Sequence, residues 1–376
     1  MNNPFVFGET VSGKSFCDRE TEHAALCRDL KDSQKLFFIS PRRYGKTSLL
    51  KKVLSSLDGE DVITVYIDLY RASSLQAFLE LYCTQVAQAA ETAIDKALGF
   101  VREVLPRLRP TISIDADGRP SLGIEPLPGK KELSKAMEEA FEFPAHVAEK
   151  KNKRVVVIFD EFQEIAQFDG EALEKTMRAH IQHHRSVGYV FSGSKRHMLE
   201  DMTLNNERAF YKIGKIMYLQ KIPRTIFAAF LTEIFVRGGF TLEPGVVERV
   251  LDITEDIPYN AQFMCHELWD RYRDEQRITT ACVDQVLSTL LEEQTPFFIV
   301  QWDALSLNQR GVLRAIARHG GANVFSQDFL QQSGITSLPT LQTSFKLLVK
   351  KGIVEKHDAA HAIADIFFRE WIKQKI

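Results

Sequence analysis

Residues 36–47 read Leu-Phe-Phe-Ile-Ser-Pro-Arg-Arg-Tyr-Gly-Lys-Thr, and this stretch decides the fold of the 376-residue chain. Its first four residues form a continuous apolar run, which is typical of a strand buried on both faces of a parallel sheet. Leucine and valine then recur at helical spacing from residue 47 to residue 57. A strand, a short loop that ends in Gly-Lys-Thr, and a helix form the pattern of a P-loop, in which Ser40 replaces the first glycine.

The loop carries the groups that bind the phosphates of a nucleotide. Gly45 lets the backbone approach the phosphates, Lys46 brings an ammonium to the β- and γ-phosphates, and the Thr47 hydroxyl is a ligand for Mg²⁺. Because Ser40 shapes the turn out of the strand, we expect its replacement of glycine to be tolerated. The sequence predicts ATP or ADP as the ligand, together with Mg²⁺. The residues expected to contact the nucleotide are Ser40, Pro41, Arg42, Arg43, Tyr44, Gly45, Lys46, Thr47 and Ser48.

Four further apolar runs predict strands, and helical patterns separate them. The runs are apolar throughout rather than alternating, as in strands covered by helices on both faces. Strands that alternate with helices indicate right-handed βαβ units, and hence an α/β fold with a doubly wound parallel sheet. The four runs lie at residues 62–67, 155–159, 189–191 and 216–219.

Two acids follow the strand predicted at residues 155–159, in the arrangement known as Walker B. In such a site Asp160 holds Mg²⁺ through its water shell, and Glu161 orients or deprotonates the attacking water. An acid pair at the end of a strand is common on protein surfaces, but the P-loop upstream favours the catalytic interpretation. We therefore predict Thr47 and Asp160 at the metal, with Lys46 and Glu161 as catalytic residues.

A polar residue that senses the γ-phosphate is expected at the end of the strand beside the P-loop strand. Ser192 and Ser194 both fit, and position favours Ser194. Arg208 precedes the last predicted strand, where an arginine finger is placed to reach a phosphate. Lys195, Arg196 and the two arginines of the P-loop are alternatives for that basic residue.

The chain divides into three predicted domains. Residues 1–222 form the P-loop domain, interrupted by a hairpin insertion at about 110–125 whose turn is Asp117-Gly118. Residues 223–300 read as helices only, which predicts an all-α lid. Residues 301–376 read as three helices and a small hairpin, the order of a winged-helix domain.

Composition is ordinary for a soluble globular protein. The chain is 44% hydrophobic and 26% charged, and its formal net charge of -2 gives no overall reason to expect nucleic acid as a partner. Its five cysteines are scattered without a paired motif, which suits reduced thiols. No signal peptide or membrane-spanning run is apparent. We expect a cytoplasmic protein with no membrane partner.

Several segments resemble the archaeal-type ATPase family, a branch of the STAND and AAA+ group of P-loop NTPases. The resemblance covers about residues 5–295, and the C-terminal tail more loosely. The segments that carry it are the P-loop, the Asp-Glu-Phe-Gln run at 160–163, the Phe-Ser-Gly-Ser-Lys-Arg run at 191–196, the Ala-Phe-Tyr-Lys run at 209–212, and an entry motif with Phe16, Arg19, Glu20 and Glu22.

The resemblance implies a fold, ligands and an activity. It implies an AAA+-like sheet followed by a helical lid and a winged helix, with ATP hydrolysis coupled to a conformational switch or to self-association. It also implies that Arg19 lies beside the adenine pocket. The lid of this family normally supplies a Gly-x-Pro element, and here Pro258 is present while Asp256 replaces the glycine.

Three functions compete. The first is an ATPase that acts as a nucleotide-dependent switch. The second is an ATP-gated DNA-binding protein of initiator type, although the candidate recognition helix at 338–351 offers threonine, glutamine and lysine but no arginine. The third is a scaffold that holds nucleotide without turnover, and Glu161 argues against it.

Overall fold

The computed structural model describes two compact units. The first unit comprises Phe7–Ile226, and the second comprises Met1–Val6 with Phe227–Ile376. The structure describes all residues except 1, 12, 14–15, 60, 92–96, 98, 100, 104, 106–107, 115–119, 127–129, 169 and 358–359.

The first unit contains the predicted sheet and the helices around it. Short 3₁₀ helices follow two of its strands, at Leu69–Arg71 and Phe162–Gln167. In the described part of the chain its other elements are α1 (Glu20–Lys31), β1 (Lys35–Ile39), α2 (Lys46–Leu57), β2 (Val62–Asp68), α3 (Leu75–Ala90), β3 (Leu108–Ile114), β4 (Pro120–Pro126), α4 (Lys130–Lys151), β5 (Arg154–Asp160), α5 (Gly170–Ile181), β6 (Val187–Gly193), α6 (Arg196–Leu204) and β7 (Lys215–Tyr218).

The order of the strands in the sheet is β2-β5-β6-β1-β7, and every neighbouring pair is parallel. This confirms the predicted α/β fold with a parallel P-loop sheet. Strand β6 lies between β1 and β5, with Phe38 opposite Ser192. Because the carboxyl ends of parallel strands meet at one edge, the P-loop, the Asp160-Glu161 pair and the polar end of β6 come together there.

An aromatic cluster fills the core beside the central strands. Phe37, Phe159 and Phe191 come from β1, β5 and β6, while Phe162 and Phe210 come from the segments after β5 and before β7. All five are fully buried, and the ring centroids of Phe162 and Phe191 are 4.7 Å apart. Phe162 follows the acid pair directly, so its burial fixes where that pair leaves the sheet.

The segment predicted as a hairpin insertion contains β3 and β4. These two strands pair antiparallel, with Ile112 opposite Leu122. The predicted turn at Asp117-Gly118 lies outside the described residues.

The second unit is mainly helical. Within the part of it that the structure describes, no helix is both long and apolar enough to span a membrane, and the same holds for the first unit. The cytoplasmic location stays a prediction. The elements are α7 (Arg224–Arg237, which begins at the end of the first unit), β8 (Thr241–Leu242), α8 (Val246–Thr254), α9 (Pro258–Arg271), β9 (Arg277–Ile278), α10 (Thr280–Asp303), α11 (Leu307–His319), α12 (Gln327–Ser333), α13 (Leu338–Lys350), β10 (Val354–His357), β11 (Ala360–Ile363) and α14 (Ile366–Lys375).

The three helices and hairpin predicted for the tail correspond to α11, α12, α13 and the antiparallel pair β10-β11. The sequence interpretation missed α14. Asp365 caps this helix by accepting hydrogen bonds from the backbone N–H groups of Phe367 and Phe368. The apolar side of α14 then packs on α10, where the Phe298 and Phe368 ring centroids are 5.4 Å apart.

The predicted lid and the predicted winged helix lie in the same compact unit. Besides the aromatic contact, Trp371 of α14 donates a hydrogen bond to Thr295 of α10, 3.1 Å away. Phe5, from the start of the chain, also packs in this unit, with its ring centroid 4.7 Å from that of Phe235. The contacts therefore group residues 1–6 with the second unit, although the sequence interpretation assigned them to the P-loop domain.

Gly238, just after α7, packs against the buried Trp269 ring, and we expect Gly238→Ala to destabilise the second unit. A Cβ on Gly238 would overlap with that ring. Overpacking of this kind costs about 1–3 kcal/mol, so the urea midpoint of unfolding should fall. Gly59→Ala is the matched control, since among the described residues, its chain neighbours apart, no atom lies within 4 Å of its added Cβ. Equal midpoints for the two variants would contradict this packing.

Candidate functional site

The loop between β1 and α2 turns through two residues in the left-handed backbone region. Arg43 has a φ of 70° and Gly45 has a φ of 84°. Gly45 is the N-cap of α2, so the helix begins at Lys46. Leucine and valine bury the inner face of α2 and hold it against the sheet. The first-turn N–H groups and the positive end of the helix dipole therefore face the loop, an arrangement that binds phosphate.

The Lys46 ammonium contacts both acids at the end of β5. It forms an ion pair with Oδ1 of Asp160, and its Nζ lies 3.1 Å from Oε1 of Glu161. The side chains of Lys46 and Asp160 are only 6% and 3% exposed. Three of the predicted site residues therefore meet in a buried charge cluster, although 114 residues separate Lys46 from Asp160 in the sequence.

Asp160 is the centre of this cluster. Its Oδ2 accepts hydrogen bonds from the hydroxyls of Thr47 at 2.8 Å and Tyr66 at 2.7 Å, and its Oδ1 accepts one from Ser192 at 3.1 Å. Burial by itself raises the pKa of Asp160. The charge of Lys46 and the hydrogen bonds from Lys46, Tyr66 and Thr47 outweigh burial and hold that pKa below its ordinary value. The carboxylate is therefore ionised at neutral pH.

The sequence interpretation missed Tyr66, which lies in β2. Nothing in an apolar strand pattern marks one tyrosine as polar in function, and the contact forms only because β2 pairs with β5. Burial, and then the charge and hydrogen bond of Asp160, raise the pKa of Tyr66 well above its ordinary value. The hydroxyl therefore keeps its proton and acts as a donor to Asp160.

Glu161 leaves the sheet with an unusual backbone and a restrained side chain. Its φ of 51° lies in the left-handed region, which costs roughly 1–2 kcal/mol in a residue other than glycine. Its Oε2 accepts a hydrogen bond from the Ser194 hydroxyl at 2.9 Å, and a second from Nε2 of Gln163. Of the two serines proposed for the end of β6, Ser192 therefore contacts Asp160 and Ser194 contacts Glu161.

Arg208, predicted as an arginine finger, is engaged elsewhere. Its guanidinium forms ion pairs with Glu174 and Asp201, and Glu174 is only 1% exposed. Reaching a phosphate would require it to leave a buried carboxylate without its partner, which is unfavourable. The catalytic role of Arg208 stays a prediction. The alternatives Lys195 and Arg196 also have acidic partners, Glu164 and Glu200 respectively.

The remaining predicted contacts surround the P-loop. Arg19 is 3% exposed, and its Nη2 lies 3.4 Å from the backbone oxygen of Tyr44. Ser48 accepts a hydrogen bond from the backbone N–H of Val11 at 3.0 Å. Within the loop, the Ser40 hydroxyl donates a hydrogen bond to the Pro41 oxygen, and Arg42 donates one to the Tyr70 hydroxyl. Arg19 therefore supports the loop backbone, whereas its role beside adenine stays a prediction.

Pro258 is the first residue of α9 in the second unit. Just before it, Glu255 and Asp256 have φ values of 54° and 58°. Asp256 therefore keeps the left-handed conformation that glycine adopts most easily. Asp256 therefore differs from the Gly-x-Pro pattern in residue type but has the backbone conformation that a glycine at this position would adopt.

Oxygen ligands suited to Mg²⁺ meet beside Lys46. The Thr47 hydroxyl and the ionised Asp160 carboxylate are 2.8 Å apart, and Mg²⁺ prefers a few such oxygens together with phosphate and water. Among the described residues, no group of three or more His, Cys, Asp and Glu side chains is arranged to hold a metal ion. The donor set fits a metal shared with a phosphate better than a metal enclosed by protein.

Comparison with protein families gave two matches. A family described as the ATPase domain predominantly from Archaea matches residues 16–233. A family described as a probable winged helix domain matches residues 297–374. A comparison with curated proteins found no match.

Comparison with solved structures supports the same architecture over nearly the whole chain. A Walker-type ATPase of Pyrococcus abyssi is 18% identical, with 98% of this chain and 99% of that chain covered and a TM-score of 0.68. The Aeropyrum pernix ORC2 protein, in ADPNP-ADP complexes, is 16% identical at 94% and 93% coverage, with a TM-score of 0.59. The ORC1 protein of the same organism, in complex with DNA, is 12% identical at 96% and 94% coverage, with a TM-score of 0.53. At these identities the likeness concerns the fold.

We expect Tyr66→Phe to lower the free energy of unfolding by about 1.5 kcal/mol at neutral pH, because it removes a hydrogen bond to a charged carboxylate. The folded-state pKa of Asp160 is lowered, so this contribution is present above the unfolded value of about 4 and is lost as the pH falls through the folded pKa. Tyr70→Phe, at an exposed tyrosine, is the control, and urea denaturation at pH 7 is the measurement. A Tyr66→Phe variant as stable at pH 7 as Tyr70→Phe would contradict the assignment.

Proposed function

The chain belongs to the family of ATPase domains found predominantly in Archaea, and we propose that it binds ATP with Mg²⁺ and hydrolyses the bond between the β- and γ-phosphates. One observation carries the proposal. The Lys46 ammonium at the start of α2 contacts Asp160 and Glu161 together, which unites a phosphate-binding group, a metal ligand and a candidate base in one buried cluster.

The P-loop supplies the phosphate site. The N–H groups of the first turn of α2 and the Lys46 ammonium bind phosphate oxygens, and a phosphate competes with the two carboxylates for that ammonium. Thr47 and Asp160 hold Mg²⁺. When bound, the metal neutralises charge on the phosphate oxygens and orients them. Tyr66 and Ser192 keep the Asp160 carboxylate in place by donating hydrogen bonds to it.

Glu161 is the proposed base for the attacking water. The carboxylate stands at the end of β5, beside the P-loop, and its Oε1 lies on the side of Lys46. A base in that position accepts the proton of a water that attacks the terminal phosphate. Ser194 contacts this carboxylate directly, so its proposed effect on turnover can act through Glu161 as well as through the γ-phosphate.

Coupling to a partner or to self-association is the wider part of the proposal. The winged-helix match, at residues 297–374, follows the ATPase-domain match at residues 16–233. We propose that nucleotide turnover acts as a switch, with Pro258 as the lid contact and Arg208 as a finger once it is released from Glu174 and Asp201.

We expect two substitutions to separate ATP binding from turnover. Lys46→Ala should weaken ATP binding by roughly a hundredfold, since loss of a buried charge partner costs about 3 kcal/mol. Glu161→Gln should keep ATP affinity and lower kcat by roughly a hundredfold or more, the usual loss for a general base. Titration calorimetry and phosphate release measure the two effects.

An exposed lysine and an exposed acid serve as controls for the two substitutions. Lys52→Ala changes an exposed lysine of α2, and Glu171→Gln changes an exposed acid of α5; both should behave like the wild type. Hydrolysis by Glu161→Gln at the wild-type rate would show that Glu161 is not the base.

A second candidate function is DNA binding by the winged helix. The winged-helix match includes α13, whose Thr343, Lys346 and Lys350 are exposed. The ORC1 protein that shares this fold is bound to DNA in its structure. Against it, α13 also exposes Leu338, Leu347 and Val349, and apolar side chains do not bind phosphate.

If this second function holds, a labelled duplex should bind with an affinity that falls steeply between 50 and 200 mM salt, roughly tenfold or more for a few phosphate contacts. Lys346→Ala should reduce the affinity and the salt dependence together. Lys373→Ala, on α14 and paired with Glu370, is the control. Titrations run with and without ATP test gating, and no binding at micromolar protein would exclude this function.

A further inference from the structure

Gln163 is a buried polar residue to which the proposed catalytic scheme gives no role. It lies in the 3₁₀ helix Phe162–Gln167, directly after β5, and it is 1% exposed. Its amide nitrogen donates a hydrogen bond to Oε2 of Glu161. Burial of an amide removes its hydrogen bonds to water, and this costs free energy unless hydrogen bonds within the protein replace them. The contact with Glu161 is the hydrogen bond that offsets this cost for Gln163.

The orientation of this amide is determined by its neighbour. The nitrogen must face the Glu161 carboxylate, because the amide oxygen in that place would be repelled by it. Oε1 of Gln163 is buried and has no hydrogen-bond partner among the residues that the structure describes. The amide is therefore oriented for Glu161 at the expense of its own second hydrogen bond.

The end of β6 is shaped to admit this amide. A Cβ on Gly193 would overlap with Oε1 of Gln163 and would lie 2.8 Å from Cδ1 of Leu199. The next residue, Ser194, donates the other hydrogen bond to Oε2 of Glu161. Gln163, Gly193 and Ser194 form what we call the Oε2 bracket: two donors on one carboxylate oxygen, and a glycine that makes room for one of them.

The bracket makes the two oxygens of Glu161 different. Oε2 already accepts two hydrogen bonds, whereas Oε1 faces Lys46 of the P-loop at 3.1 Å. The backbone of Glu161 is in the left-handed region, which few residues other than glycine adopt without support. Contacts that hold the side chain offset this preference and fix the direction of the carboxylate.

We propose that Gln163 is a positioning residue, which together with Ser194 anchors Oε2 of Glu161 so that Oε1 faces the P-loop and accepts the proton of the attacking water. This inference rests on the proposed ATPase function. Gln163 itself touches neither phosphate nor water. It acts through Glu161, to which Ser194 also donates a hydrogen bond.

The test compares two amides of one short helix. Gln163→Met keeps the length of the side chain and removes the donor. Gln167→Met is the matched control, because the Gln167 amide contacts Glu164 rather than Glu161. For each variant, calorimetry gives the Kd of ATP, and phosphate release gives kcat and KM.

The expected result is a loss in kcat alone. Gln163→Met should lower kcat by roughly ten- to a hundredfold, since a misplaced catalytic group costs up to about a hundredfold, while the Kd of ATP changes by less than about twofold. Gln167→Met should match the wild type. Gly193→Ala, which displaces the same amide, should lower kcat in the same way.

A combination with Glu161→Gln separates positioning from a structural defect. If Gln163 acts through Glu161, Gln163→Met should lower the residual turnover of Glu161→Gln by less than about twofold. An equal loss in both backgrounds, or a rise in the Kd of ATP that accounts for the loss, would overturn the proposal. If Gln163→Met does not fold, Gln163→Asn replaces it, because it keeps the polarity but is too short to reach Oε2.

The outcomes distinguish this inference from the function on which it rests. A wild type that hydrolyses ATP in dependence on Glu161, with Gln163→Met at the same rate, overturns the positioning role and leaves the ATPase proposal intact. A wild type that binds ATP without turnover overturns both.

Discussion

The ion pairs of Lys46 with Asp160 and Glu161 are the interaction on which the rest of the site depends. Lys46 and Asp160 are almost completely buried, and either charge left alone there would be unfavourable by about 3–5 kcal/mol. The pair therefore requires that α2 begin at the end of β1 and that β5 end at the same edge. The parallel sheet meets this requirement, and hydrogen bonds from Thr47, Tyr66 and Ser192 complete the environment of the Asp160 carboxylate.

Strand order turns this charge cluster into a site. Because β6 lies between β1 and β5, its polar end stands beside both acids, with Ser192 on Asp160 and Ser194 on Glu161. The aromatic cluster of Phe37, Phe159, Phe162, Phe191 and Phe210 packs next to the same strands and makes their ends rigid. The ATPase proposed above needs rigid strand ends, since its groups must hold their positions while the phosphate reacts.

Prediction from the sequence was most successful where residues that are close in the sequence determine the local structure. The P-loop fold and the five strands of the sheet could be identified because apolar runs and a Gly-Lys-Thr turn require few distant contacts. It was least successful where contacts between residues far apart in the sequence determine how a segment packs. Helix α14 was missed because its apolar residues make sense only against α10, and Phe5 was assigned to the P-loop domain because nothing local shows that it packs on Phe235.

The sequence by itself determined the parallel P-loop sheet, because the patterns of a strand, a loop and a helix lie in neighbouring residues. It also singled out Lys46, Thr47, Asp160 and Glu161, whose roles stay a prediction. Only the tertiary structure decided what holds those side chains. Tyr66 reaches Asp160 across 94 residues because β2 pairs with β5, and Ser194 reaches Glu161 across 33 because β6 does. The structure likewise joined Arg208 to Glu174 and Asp201. A hydrogen bond depends on distance in space, and a sequence pattern records distance only along the chain.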